Sequence, residues 1–328
     1  MLNEIAAIQG PKGFDVMKMF SEVFRSRSAA QIEESLAVGT ARTTPSILEI
    51  STDWPRPWLF ARCFLLFGLA YLGFVIAWAN FDAIDLAPGL IVAGAFAGPM
   101  STLMLFFELN VRRNVSLYRL IVLTVLGGIS GLLISFAAYK AATPTLASDA
   151  AAGLIEELGK FAALILLTSG WPHKYLLNGM LFGAAIGAGF AAWESAGYAF
   201  QISLHAGGRD AIMANLLQRG LGSPFMHVTW SAMLGAALWR VRGAGPVRFG
   251  SFFEQRFYGV LMLVIALHTA WNVIGDALGI FKPILLGLIA WYVTLGLVQQ
   301  GLQEIRDEQQ CTRALSGAHL SGVSFVTS

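Results

Sequence analysis

Charge is scarce in this chain. Of its 328 residues only 13% are Asp, Glu, Lys or Arg, against 56% hydrophobic, and the mean hydropathy is +0.63. That balance excludes a soluble globular protein with a hydrated surface. No block of one sign stands out either. Twenty-two basic and 20 acidic residues leave a net charge of +2, too small a surplus to point to nucleic acid as a partner. Cysteine is reduced to Cys63, in an apolar run, and Cys311, in a polar stretch, which excludes a disulfide framework and a thiolate metal site. An apolar core of signal-peptide type near Met1, a long internal repeat and an HExxH zinc signature are all missing.

Long uncharged runs take the place of these features. Eight apolar segments, approximately 58–80, 86–108, 117–138, 150–169, 175–201, 223–240, 258–278 and 281–300, each reach the roughly 17–25 residues that a helix needs to cross about 30 Å of hydrocarbon. The pattern predicts an all-α fold, a polytopic membrane helix bundle of about eight transmembrane helices with the lipid bilayer as its solvent. Residues 1–57, polar and broken at Gly10-Pro11 and Thr43-Thr44-Pro45, read as a retained cytoplasmic N-terminal tail. Residues 58–302 form the bundle, and the polar residues 303–328 are expected as a disordered cytoplasmic tail. Basic residues set the orientation. Arg112, Arg113, Arg119, Lys174, Arg240, Arg242, Arg248 and Arg256 fall on one face, and only Lys140, Arg209, Arg219 and Lys282 on the other, which places both termini in the cytoplasm. Pro88 and Pro99 predict a kink or break in the second segment. The small residues Gly183 to Gly187 permit a close helix approach, or simply reflect how common glycine is in membrane helices.

Against this background, Glu156-Glu157-Leu158-Gly159-Lys160 sits inside an apolar run long enough to cross a bilayer, where one charge costs roughly 2.5–3.5 kcal/mol or more. Glu156 reaches Lys160 by i,i+4 spacing and Glu157 by i,i+3, so one carboxylate can be neutralised locally and the other needs partners from other spans. At about 1.5 Å per residue, Glu194, His227, and His268 with Asn272 one turn beyond it, fall at overlapping depths in the outer half of the membrane. Singly, each has a plain structural reading as an interhelical hydrogen bond. As a set on four helices they are the raw material for acid/base chemistry or for a divalent metal site of His and Glu ligands. His173, His205 and His319 lie outside this layer and read as surface histidines.

In this order and on successive spans, Glu156-Glu157-x-x-Lys160, Phe190-x-x-x-Glu194, a histidine opening the next span and His268-x-x-x-Asn272 resemble the PrsW family of intramembrane proteases. That family belongs to the superfamily of CAAX prenyl endopeptidases and bacteriocin-processing proteases. The likeness covers roughly Leu86 to Leu297. Glu194 stands where the CAAX branch has histidine, which favours the PrsW branch. The resemblance implies an intramembrane endopeptidase in a bacterial cytoplasmic membrane, cutting a membrane-anchored protein such as an anti-sigma-type regulator near its outer juxtamembrane segment. It further implies Glu156 or Glu157 as the base, Glu194 and His227 holding the water, and His268 and Asn272 as oxyanion donors. Zinc is a possible cofactor, with Glu194, His227 and His268 as its ligands. Two other classes stay open: a proton-coupled transporter, which also uses intramembrane Glu and His, and a non-catalytic scaffold, which need not keep the paired acids.

Overall fold

The computed structural model describes residues 1–323 apart from 82, 143–147, 206–207, 275–278 and 280. Among the described residues no strand occurs, so the fold is all-α. Three short helices, α1 (Leu2–Ile5), α2 (Val16–Met19) and α3 (Ala29–Leu36), precede α4 (Leu59–Phe81), α5 (Ala87–Leu109), α6 (Leu117–Val122), α7 (Gly128–Ala141), α8 (Asp149–Thr168), α9 (Leu176–Leu204), α10 (Gly208–Gly222), α11 (His227–Arg242), α12 (Gln255–Val273) and α13 (Phe281–Val323). A π turn over Leu123–Gly127 joins α6 to α7. The end of the seventh predicted segment, 275–278, lies outside the described residues.

Six stretches, Leu59–Phe81, Ile84–Leu109, Leu117–Ala141, Leu176–Leu204, Gln255–Val273 and Phe281–Ser316, are long and apolar enough to cross a membrane. The chain is an integral membrane protein. The other two predicted segments became α8, which carries Glu156, Glu157 and Lys160 within 20 residues, and α11, which has only 16 residues. These two helices both deliver residues to the polar centre described below. Pro99 does not break α5, which runs unbroken from Ala87 to Leu109.

A helix that is apolar on every side is covered either by lipid, as α4 is, or by other helices. The second case holds for α9, which is buried continuously from Leu176 to Ala192 and packs chiefly on α11 and α5. Glycine makes the α9–α11 contact possible. A Cβ on Gly183 would lie 1.9 Å from the carbonyl oxygen of Ser231, and one on Gly187 2.5 Å from that of His227. The two backbones therefore touch, and the contact holds the first turn of α11 against α9.

Both ends of the chain are tied to the bundle. The first N–H groups of a helix lack partners within it; at α4 those of Trp58, Leu59 and Phe60 donate to the carboxylate of Glu108 on α5, at 2.7, 2.8 and 3.0 Å. The N-terminal segment lies along one end of the bundle, with Ala6 and Ile8 buried and the carbonyls of Ala6 and Ala7 accepting from Arg240. Where a disordered C-terminal tail was expected, α13 continues to Val323. The side chain of Gln309 donates to the carbonyls of Ile47 and Ile50, both at 2.8 Å, which anchors that extension to the N-terminal segment. Residues 324–328 lie outside the described residues.

Candidate active site

Five helices bring their polar residues to one point. Glu157 and Lys160 share a face of α8 one turn apart, and both are buried, at 0% and 1% exposure. Lys160 Nζ lies 2.5 Å from Glu157 Oε1 and 2.9 Å from His227 Nδ1 at the start of α11. Glu157 Oε1 also faces His268 Nδ1 of α12 at 2.7 Å. His227 Nε2 is 3.1 Å from Glu194 Oε2 on α9, and Glu194 is in turn gripped by Arg219 of α10. The result is one connected line of ionisable groups, Arg219–Glu194–His227–Lys160–Glu157–His268, ending at Glu156, whose Oε2 is 3.6 Å from His268 Nε2.

Donor and acceptor capacities assign the tautomers. An ammonium only donates, so His227 Nδ1 accepts from Lys160, and its Nε2–H donates to Glu194. A carboxylate only accepts, so His268 donates from Nδ1 to Glu157, and its Nε2 faces Glu156 Oε2 at 3.6 Å, beyond hydrogen-bond distance. Aromatic rings wall these groups in. Phe190, the first residue of the Phe-x-x-x-Glu motif, lies 5.3 Å from the His227 ring and 4.7 Å from Lys160 Nζ, and Trp230 lies 4.9 Å from His268.

The two adjacent acids, equivalent by spacing, are thus separated. Glu157 is the one neutralised by Lys160, through Oε1, whereas Glu156 has no ion pair to a lysine or arginine among the described residues; the Oε2 atoms of both are buried without a hydrogen-bond partner within the protein. Glu156, His227 and His268 each offer a ligand atom, all within 4.8 Å of one another. This donor set suits zinc, and Glu157 behind His268 is the carboxylate that commonly orients a metal-bound imidazole. The set fits a divalent ion, provided that His227 gives up one of its two present partners. It differs from the expected Glu194, His227 and His268. Glu194 is occupied by Arg219 and accepts from His227, and Glu156 stands in its place. Asn272 is half-buried on α12, one turn beyond His268.

Arg219 was missed. Counted from sequence as a loop residue on the far face, it lies on α10, which buries Ile212 and Leu216 against α5 and α9 and turns the guanidinium inward. Its Nε donates to Ser195 Oγ at 2.8 Å, next to Glu194. The sequence signal was modest: apolar residues at Ile212, Leu216 and Gly220 repeat at four-residue spacing with Arg219 beside them. His173, read as a surface histidine, is buried between Asn114 and Arg119. His205 is exposed, and the side chain of His319 lies outside the described residues.

No curated protein and no solved structure matches the chain. The sequence model described as PrsW family intramembrane metalloprotease matches residues 89–298, the stretch that contains every residue of the polar centre. With that match over most of the chain, this protein belongs to the PrsW family of intramembrane proteases.

Proposed function

We propose that this centre hydrolyses a peptide bond of a membrane-anchored protein near the outer face of a bacterial cytoplasmic membrane, with Glu156 as its working carboxylate. A charge count carries the reading. Three carboxylates, Glu156, Glu157 and Glu194, face two permanent cations, Lys160 and Arg219, and the pairing leaves Glu156 with no permanent cation, only the His268 imidazole at 3.6 Å. A carboxylate so enclosed is too costly to leave alone, so it shares a cation or takes a proton. Only the ionised state, its charge offset by a shared cation, accepts a proton from water. Glu156, His227 and His268 would hold a divalent ion, which would supply Lewis-acid polarisation of the scissile carbonyl and a lowered pKa for water.

The protein's own groups account for the proton and the geometry. As the oxygen of water bonds to the carbonyl carbon, the carbonyl electron pair moves onto its oxygen and Glu156 receives the water proton. Of the two expected oxyanion donors, Asn272 keeps that role. His268 commits its Nδ1–H to Glu157 and turns its other ring nitrogen to Glu156. When the C–N bond breaks, the proton on Glu156 passes to the leaving nitrogen. Glu194, held by Arg219, keeps the ring of His227 in place.

The family resemblance supports a single-span signalling protein of anti-sigma type as substrate, and the distribution of basic residues supports cytoplasmic termini. The test is cleavage of a co-expressed single-span substrate by wild type, Glu156→Gln, Glu157→Gln and the double variant at equal abundance. Loss of cleavage in Glu156→Gln is expected, and undiminished cleavage in all three variants would overturn the reading. Proton-linked uptake without proteolysis would replace it with transport. A reporter after Arg248 should be cytoplasmic and one near residue 207 external.

A further inference from the structure

We propose that a second site, separate from the polar centre, takes one anionic phospholipid: an acyl chain lies in a cavity between α4, α5 and α13, and the headgroup rests on the basic N-terminal segment. The cavity measures about 690 Å³ and is lined by four elements of the bundle together with the N-terminal segment. Its rim is apolar and accessible from the lipid side, with Phe64, Leu221, Ile284 and Leu288 exposed at 45, 55, 48 and 65%.

The wall selects the occupant. Its polar side chains are Ser101, Thr102 and Trp291, and each is already bonded inside the protein, to the carbonyls of Ala97, Gly98 and Pro224 at 2.6, 2.8 and 2.8 Å. Nothing there is left to satisfy the N–H and C=O groups of an extended peptide, which hydrocarbon surroundings do not tolerate. A helix fails on size. With side chains it is about 10–12 Å across, so two turns displace roughly 850 Å³ or more. A single hydrocarbon chain needs no hydrogen bonds and fits the space.

The charge pattern at the closed end selects the headgroup. Phe14, Val16, Met19 and Phe20 shut that end, and the same segment carries Lys12 and Lys18, exposed and without an ion pair among the described residues. Arg62, next to the lining residue Ala61, has a buried Nε without a partner. The neighbouring acids are already engaged. Asp15 accepts from the N–H groups of Met17 and Lys18, and Glu22 pairs with Arg25 and Arg27. Val16, Met17 and Phe24 are exposed at 52, 80 and 97%, so the segment has the apolar and basic composition of an interfacial anchor.

The test uses full-length protein in phosphatidylcholine vesicles containing a minor fraction of phosphatidylglycerol with a photoactivatable acyl terminus. A second preparation carries the same group on phosphatidylcholine. Cross-links are mapped after digestion. The phosphatidylglycerol probe is expected to label peptides holding Phe60–Phe64 and Ile284–Leu295 several-fold more than the more exposed stretch of α7 around Leu133 and Phe136. Unlabelled phosphatidylglycerol should compete and phosphatidylcholine should not. Ala61→Phe and Leu221→Trp, which fill the cavity, should remove the excess. Lys18→Glu, which touches no packing, should weaken it by about fivefold or more per charge removed. Uniform labelling of all lipid-facing helices, equal labelling by the two headgroups, or displacement by a single-span peptide in place of lipid would each overturn the proposal. Thermal unfolding checks the filling variants, and the Lys18→Glu and competition arms decide the matter should those variants unfold.

Discussion

His268 and Glu157 share a 2.7 Å hydrogen bond between Nδ1 and Oε1, with both side chains at 3% exposure or less. Because Glu157 also pairs with Lys160, the proposed function gives it a structural role and leaves the chemistry to its neighbour. Glu156→Gln should lower turnover by about 10²–10⁴ with little change in stability, as loss of a general base does. Glu157→Gln should instead leave Lys160 as a buried uncompensated cation and cost about 3–5 kcal/mol. Thermal unfolding in detergent beside the cleavage assay separates the two, and equal destabilisation would refute the division.

The ligand set makes a distinct prediction. Elemental analysis of purified protein should find about one divalent ion per chain, retained in Glu194→Gln and lost in Glu156→Gln and His268→Ala. Chelation should stop cleavage, and adding the ion back should restore it. Full activity in protein free of metal would assign Glu156 to proton transfer alone.

Arg219 pairs with Glu194, which faces His227 Nε2 at 3.1 Å, so on the proposed reading it positions His227. Arg219→Gln should reduce kcat by about 10–100-fold, the usual cost of losing an outer-shell partner, and leave KM near its original value. Arg219→Lys should recover part of the loss, because charge is restored without the fork that reaches both Glu194 and Ser195. A change confined to KM would argue against this role.

The α9–α11 contact admits no side chain at Gly183, where a Cβ would meet the carbonyl oxygen of Ser231 at 1.9 Å. Gly183→Leu should force the helices apart, lower stability by about 1–3 kcal/mol and shift His227 away from Lys160 and Glu194. Cleavage should fall even in the fraction that remains folded. Wild-type activity in Gly183→Leu would show that the close approach is dispensable.

Outside the membrane-spanning segments, burial holds the His173 imidazole below its ordinary 6.5, at about 4, and the nearby cations Arg119 and Arg242 push the same way. Below pH 6.5 the unfolded chain takes up a proton that the folded chain refuses. Stability should therefore fall as pH drops from 6.5 toward 4, by about 3 kcal/mol at most from this residue. His173→Gln should flatten the unfolding profile in that window. An unchanged slope would show that His173 does not set it.

From the sequence alone, hydrophobic run length and scarcity of charge were enough to determine an all-α membrane protein, since both depend only on local composition and the thickness of a bilayer. Spacing along the chain likewise located Glu156, Glu157, Glu194, His227 and His268 at overlapping depths. Which acid pairs with Lys160 was beyond it. Residues 156 and 157 both reach residue 160 along a helix, and only the packing of α11 and α12 against α8 places His227 and His268 so that Glu157 is enclosed and Glu156 is left over. Arg219 escaped for the same reason: its inward direction is set by the burial of Ile212 and Leu216 against two helices distant in sequence. The polar segments at the two ends read as tails because their composition is hydrophilic. Tertiary structure binds them to the bundle through backbone carbonyls, at Ala6, Ala7, Ile47 and Ile50, and those acceptors are present in every sequence and distinctive in none.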